Sequence, residues 1–171
     1  MRKIASFILL LLFCFSVKAQ EVLKTQWHSD TESIDAIIKA TYEVISGPAG
    51  QRDWDRFRNL FDAKAQMGAV YKNKNGVEVF KSFTPEEYIK NNNDFLLKNA
   101  FIENEIHRTT NQLNYLVQVF STYKYTTDGK TQRGINSIQL IKQNNRWYIF
   151  SLIWEEENEF NIIPKIYLQV K

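Results

Sequence analysis

Few side chains in this 171-residue sequence can move protons, and several of them share one stretch. Glu103, Glu105 and His107 recur at every second position, so a β-strand would place them on one face. A carboxylate beside an imidazole is a general-base arrangement. The same spacing also makes a polar cluster on an outer sheet face, within reach of Arg133 or Lys124. Active sites need concavity, and this face is expected to be convex, so the cluster is the preferred reading. Asp53 and Asp55 open a short helical pattern, where Asp53 reads as an N-cap and Asp55 as an acid complementing the helix dipole. The candidates for ligand contact are Tyr42, Tyr71, Asn104, Ser121, Tyr123, Asn136 and Ser151. They offer neutral donors and acceptors rather than a nucleophile with its base, and no catalytic residue is assigned among them. Two histidines far apart give no metal ligand set, so no metal is expected. The sequence has no phosphate loop, dinucleotide glycine fingerprint, nucleophile elbow or zinc-protease helix motif, and no cofactor is expected.

The elements that must position these residues are strands. Asn114–Tyr125 is rich in β-branched and aromatic residues and ends in Thr127-Asp-Gly-Lys130, a two-residue hairpin signal. Gln132–Lys142 follows, then Gln143-Asn-Asn-Arg146 as a second tight turn, then a last strand, Trp147–Trp154. Phe101–Thr109 precedes them and is expected to turn near Asn111-Gln112. Two-residue turns set the register: Val117 opposite Leu140, Val119 opposite Ile138, Ser121 opposite Asn136, and Leu140 opposite Ile149. Extended without interruption, the register pairs Ile138 with Ser151 and Asn136 with Ile153. One face then carries Val117, Val119, Ile138, Leu140, Ile149 and Ile153, with Ser121, Asn136 and Ser151 among them. The other carries Phe120, Gln139, Tyr148, Phe150, Leu152 and Trp154, with Glu103, Glu105, His107, Gln118 and Arg133. Helices can cover one face only, so this second face is expected to pair with a second copy as a homodimer.

Earlier segments supply the covering layer. Ser29-Asp-Thr-Glu32 has capping-box spacing before the apolar stripe Ile34, Ile37, Ile38, Thr41 and Ile45. Gly47-Pro-Ala-Gly50 ends that helix, and a shorter one follows Asp53. Gln66–Tyr71 and Val77–Phe83 flank Asn73-Lys-Asn-Gly76 as an outer hairpin. Thr84-Pro-Glu-Glu87 starts a helix running to about Leu97. The fold class expected is α+β, a curved antiparallel sheet with helices on one face.

Residues 1–19 read as a secretory signal peptide: a basic start, an uncharged apolar run from Ile4 to Val17, and Val17-Lys-Ala19 as the cleavage site. Residues 20–171 then form one domain, exported to the periplasm or secreted, with no membrane attachment once the leader is gone. The chain has 22 basic and 19 acidic residues; losing Arg2, Lys3 and Lys18 leaves 19 of each sign. No basic field for nucleic acid remains. Cys14, the sole cysteine, lies in the leader, so no disulfide or thiolate chemistry is expected. Glu155-Glu-Glu-Asn-Glu159 reads as a solvated exit from the last strand, and Phe160–Leu168 is apolar enough to pack back on the domain.

Five segments resemble the nuclear transport factor two-like superfamily, and within it an exported bacterial branch: Asp53–Phe61, Glu103–Arg108, Val119–Tyr123, Arg133–Leu140 and Arg146–Trp154. The resemblance spans nearly the whole chain after the leader and implies a cone-shaped α+β fold. That superfamily includes ketosteroid isomerases, scytalone dehydratases, polyketide cyclases and epoxide hydrolases, as well as non-catalytic binding and dimerisation modules. Its catalytic members place an Asp, or an Asp–His or Asp–Arg set, inside the cone. The register above points no sheet carboxylate inward. The function expected from the sequence is therefore a non-catalytic small-molecule binder, with a cofactor-independent isomerase, dehydratase or hydrolase as the alternative.

Overall fold

The computed structural model describes residues 26–168. The expected signal peptide lies outside them. Three helices, α1 (Ile34–Ile45), α2 (Trp54–Asn59) and α3 (Pro85–Lys98), pack on one face of a six-stranded sheet. Its strands are β1 (Phe61–Lys72), β2 (Glu78–Phe83), β3 (Phe101–Leu113), β4 (Leu116–Thr127), β5 (Lys130–Gln143) and β6 (Arg146–Glu156). The spatial order is β2-β1-β6-β5-β4-β3. The architecture is the expected α+β, with one difference: β1 runs parallel to β6, so the sheet is mixed. The outer hairpin joins the main sheet through that pairing. No helix among the described residues is long and apolar enough to cross a membrane.

Local chemistry explains most boundaries. Thr84 and Glu87 form the reciprocal capping box, with Pro85 opening α3. Asp53 caps α2 by accepting from the Arg56 N–H at 2.8 Å. The cap of α1 is Ser33, which accepts from Ala36 N–H at 3.1 Å, and not Ser29. Ser29 lies in a 3-10 turn, His28–Thr31, where Asp30 is paired with Arg56 at 2.7 Å. Asp128 and Gly129 both take positive φ, 48° and 71°, as a type I′ hairpin turn requires, and Asn144 and Asn145 do the same at 49° and 61°. The β3–β4 turn comes later than expected. Asn114 takes the left-handed conformation at φ 52°, so β3 continues to Leu113.

The register of β4 and β5 is the expected one throughout, from Val117 opposite Leu140 to Thr127 opposite Lys130. That of β6 is as expected only from Arg146 to Ile149. A bulge then inserts Phe150, so Ser151 sits opposite Gln139, Leu152 opposite Ile138 and Trp154 opposite Asn136. Leu152 and Trp154 therefore turn inward, and Ser151 and Ile153 turn outward. A second bulge at Ile106 does the same to β3: Arg108 is opposite Ser121, but Glu105 is opposite Tyr123 and Glu103 opposite Tyr125. Both glutamates face the helices, whereas His107, opposite the outward Thr122, does not. The polar cluster expected on the outer face is thus divided between two faces.

The solid part of the core lies where pairing is regular. Ile37 and Ile38 of α1, with Phe57 and Leu60, meet Val117, Val119, Ile138, Leu140 and Ile149. The outer face is partly covered by the chain's own last segment. Tyr167 packs on Phe120 with ring centroids 5.1 Å apart, and its carbonyl accepts from the Thr122 hydroxyl at 2.7 Å.

Candidate functional site

Where the helices leave the sheet, a cavity of about 230 Å³ opens. Its walls are largely aromatic: Phe57 from α2, Tyr88 from α3, Phe101 from β3, Tyr123 and Tyr125 from β4, and Trp154 from β6. Tyr88 and Trp154 meet edge-on at 6.2 Å, and Phe101 stacks on Tyr125 at 5.1 Å. Gly134 makes room for one wall: a Cβ there would collide with the Tyr123 ring and lie 2.6 Å from the Glu155 carbonyl. Glu156, exposed, and Phe95, 40% exposed, stand where the cavity meets solvent.

Glu103 is the buried one of the two carboxyls lining this cavity, only 9% exposed. Among the described residues it makes no ion pair. Burial pushes its pKa up to about 8; the nearby charge of Glu156 adds to the rise, and the Asn136 amide moderates it. Its position is built from the loop after α1. The Ser46 hydroxyl donates to the Glu103 carbonyl at 3.0 Å and accepts from its N–H at 2.9 Å. Gly47 exchanges backbone hydrogen bonds with Phe101 at 2.7 and 3.0 Å. Arg52 holds that loop, donating to the carbonyls of Ile45, Gly47, Pro48 and Gly50. One buried guanidinium thus organises the segment that anchors the start of β3.

Behind the wall runs a directed polar chain. Arg108 donates to Glu105 at 2.9 Å, holding it as an acceptor. Ser121 donates to the other Glu105 oxygen at 2.5 Å, so the Tyr42 hydroxyl, 2.7 Å from Ser121, must donate to it. Asn136 in turn donates to the Tyr42 oxygen at 3.1 Å. Burial pushes the Tyr42 hydroxyl pKa well above its ordinary value, so it stays a neutral link. The chain ends at Asn136, on the cavity wall.

The residues singled out in the sequence divide accordingly. Tyr123 and Asn136 line the cavity, and Tyr42 and Ser121 stand one layer behind. The other three point elsewhere. Asn104 pairs with Lys124 and is exposed, because its neighbours Glu103 and Glu105 take the inward parity. Ser151 is turned outward by the Phe150 bulge. Tyr71 sits towards the far end of β1, 45% exposed, opposite Val79. Sequence reasoning placed Glu103, Leu152 and Trp154 on the outer face, which the two bulges overturn, and it missed Tyr88 and Glu156. Asp53 is a cap, Asp55 pairs with Arg58 at 2.9 Å, and neither lines the cavity. No cluster of three or more His, Cys, Asp or Glu side chains that could hold a metal occurs among the described residues.

This arrangement of sheet and helices superposes on several solved structures. A candidate dehydratase of the NTF2-like family from Streptomyces avermitilis matches with a TM-score of 0.56 at 12% identity, over 75% of this chain and 96% of that one. This is the nuclear transport factor two-like fold. A candidate ketosteroid isomerase from Parabacteroides distasonis superposes with a TM-score of 0.53 at 14% identity, covering 75% of this chain and 92% of the other. A protein of unknown function with a cystatin-like fold from Nostoc punctiforme also gives 0.53, at 10% identity over 74% and 95%. At these identities the likeness extends to the fold alone. No protein-family model matches the sequence, and neither does any curated protein. What this domain does must therefore be argued from its own cavity.

Proposed function

We propose that the cavity is a site of cofactor-independent proton transfer on a small molecule, with Glu103 carrying the proton. The observation behind this reading is a carboxyl with no ionic partner among the described residues, buried on the wall of an aromatic cavity. The preference for a non-catalytic binder rested on the absence of an inward sheet carboxylate, and that premise fails at Glu103. Raised by burial to about 8, the pKa of Glu103 leaves the carboxyl mostly protonated at pH 7, so it can donate a proton. Its conjugate base is stronger than an ordinary glutamate, so it can also accept one. Asn136, oriented from behind by Tyr42 and Ser121, and the nearby hydroxyls of Tyr88 and Tyr123 are suited to polarise a substrate oxygen.

The test needs no known substrate. A panel of small ketones, neutral and ammonium-bearing, is incubated with the protein in D2O, and wash-in of deuterium beside the carbonyl is followed by NMR. Exchange with the parent and its loss in Glu103→Gln is the expected result. Saturable binding without exchange would instead leave the domain a binder.

We further propose that the protein is exported and self-associates. Export rests on the leader pattern of residues 1–19, and the N-terminus of secreted material tests it. Pairing through the outer face loses Leu152 and Trp154, which turn inward, and Phe120, which Tyr167 covers. Gln139, Tyr148 and Phe150 remain for it, and light scattering of Phe150→Glu against the parent decides.

A further inference from the structure

We infer that the ligand class of this cavity is a small organic cation, a primary amine or quaternary ammonium, held between the aromatic walls and the carboxylates of Glu103 and Glu156. The inference takes the cavity just described as the site and concerns what it admits. Two strands independently deliver a carboxyl to one small space: Glu103 from β3 and Glu156 from β6. Each reaches it only because a bulge reverses its strand's facing. Among the described residues no lysine, arginine or histidine lines the cavity. The arginines nearest in the chain of contacts are already engaged, Arg52 by four carbonyls and Arg108 by Glu105 and Asp35.

A space lined by carboxylates and rings, with no positive group, repels anions and is filled by a cation at least cost. Ammonium groups are attracted by the faces of tyrosine and tryptophan rings, and by carboxylates more strongly still in a partly dry site. Glu156 is exposed at the mouth, with the Tyr125 hydroxyl donating to it at 3.1 Å, so it is placed to meet an incoming charge first. Glu103, 9% exposed, is the deeper partner and has no counter-charge among the described residues. The groups facing it are Tyr42 from α1, Tyr88 from α3, Tyr123 and Tyr125 from β4, and Glu156 from β6. All are neutral or negative, so an arriving cation alone supplies positive charge. Its arrival favours the ionised carboxyl, and the proton of Glu103 leaves to the solvent. The ligand would thereby convert the acid of the empty cavity into the base of the occupied one.

The experiment compares benzylammonium, tetramethylammonium and neutral benzyl alcohol by calorimetric titration at pH 7, in two buffers of different ionisation enthalpy. Benzylammonium is expected to bind at least tenfold more tightly than benzyl alcohol, with proton release seen as a difference between buffers. Glu156→Gln, on the exposed rim, should weaken benzylammonium about fivefold or more and leave benzyl alcohol unchanged. Glu103→Gln should abolish the proton release. Equal or tighter binding of the alcohol, no binding by either ammonium compound, or an unchanged cation affinity in Glu156→Gln would each overturn the inference. Deuterium exchange that still depends on Glu103 would then leave the proton-transfer reading standing. Ketone exchange insensitive to Glu103 with a preserved ammonium preference would remove that reading and keep this one.

Discussion

The two ends of the sheet differ in one respect that controls everything else. At the end carrying Val117, Leu140 and Ile149 strands β3 to β6 pair without interruption, the register shift there being confined to β1 between Phe61 and Gln66. These inward side chains, fully buried, join Ile37, Ile38 and Phe57 of the helices in one core. At the other end β3 and β6 each carry one extra residue, Ile106 and Phe150, and beyond it their facing is reversed. The reversal takes Leu152, Trp154 and Glu103 inward, and the cavity lies where they gather. Bulges bend strands and re-aim side chains next to binding sites. Here the regular half stores the stability and the bulged half makes the pocket.

Deleting Phe150 is the severest way to test that contrast. The deletion removes the extra residue and leaves Ile149 opposite Leu140 and Ser151 opposite Gln139, so Leu152, Trp154 and Glu156 keep their inward facing on a strand that has lost its bend. The expected result is a variant that still unfolds in one cooperative thermal transition but no longer binds benzylammonium, and unchanged affinity would mean that the bulge does not shape the pocket. Ile138→Ala tests the packed half. This side chain is fully buried, so about 2–5 kcal/mol of stability should be lost in urea titration. A loss below about 1 kcal/mol would mean that the packed half holds less of the stability than its burial implies.

Glu103→Gln should act in the opposite sense. The folded state holds this proton up to about pH 8, the unfolded chain only to the ordinary 4.5, so stability falls as pH rises between them and is level above. The variant removes that penalty. Its stability relative to the parent should climb through this window and reach a few kcal/mol in its favour above pH 8. Glu43 and Glu86, whose pKa values are lowered chiefly by hydrogen bonds from Arg56 and Arg58, slope the other way. The difference between variant and parent, rather than either curve, is therefore the measurement.

The packed half was legible in the sequence because its determinants are local. Asp128-Gly129 permits one turn type, and that turn sets the β4–β5 register across its whole length. Thr84-Pro-Glu-Glu87 could start little other than a helix. The bulges carry no such mark: neither Ile106 nor Phe150 is a glycine or stands beside one. In Tyr148-Ile-Phe-Ser-Leu-Ile-Trp154 both parities are apolar, so a slip by one residue costs the sequence pattern almost nothing. Tyr123 and Asn136 could be placed on the wall because they lie on the strands whose register a turn sets. Glu103 could not, since its facing depends on a bulge between it and the nearest turn. Tyr88 was hidden for another reason. α3 was correctly bounded, yet nothing in its spacing says which ring reaches a cavity formed by the sheet.

The smallest effect separates the two halves most cleanly. Tyr125 lines the open end, and its hydroxyl donates to Glu156 at 3.1 Å in an exposed setting. Burial, with the charge of Glu156 second, pushes its pKa up to about 12, so it is neutral at any working pH. An exposed hydrogen bond of this kind contributes little to folding, and Tyr125→Phe should change stability by less than about 1 kcal/mol. The ring stays, and with it the stacking on Phe101. What is lost is the donor that positions the rim carboxylate. Benzylammonium affinity should therefore fall a few-fold while the unfolding midpoint stays put. If stability drops as far as it does for Ile138→Ala, the open end is part of the structural core, and the division between the two ends fails.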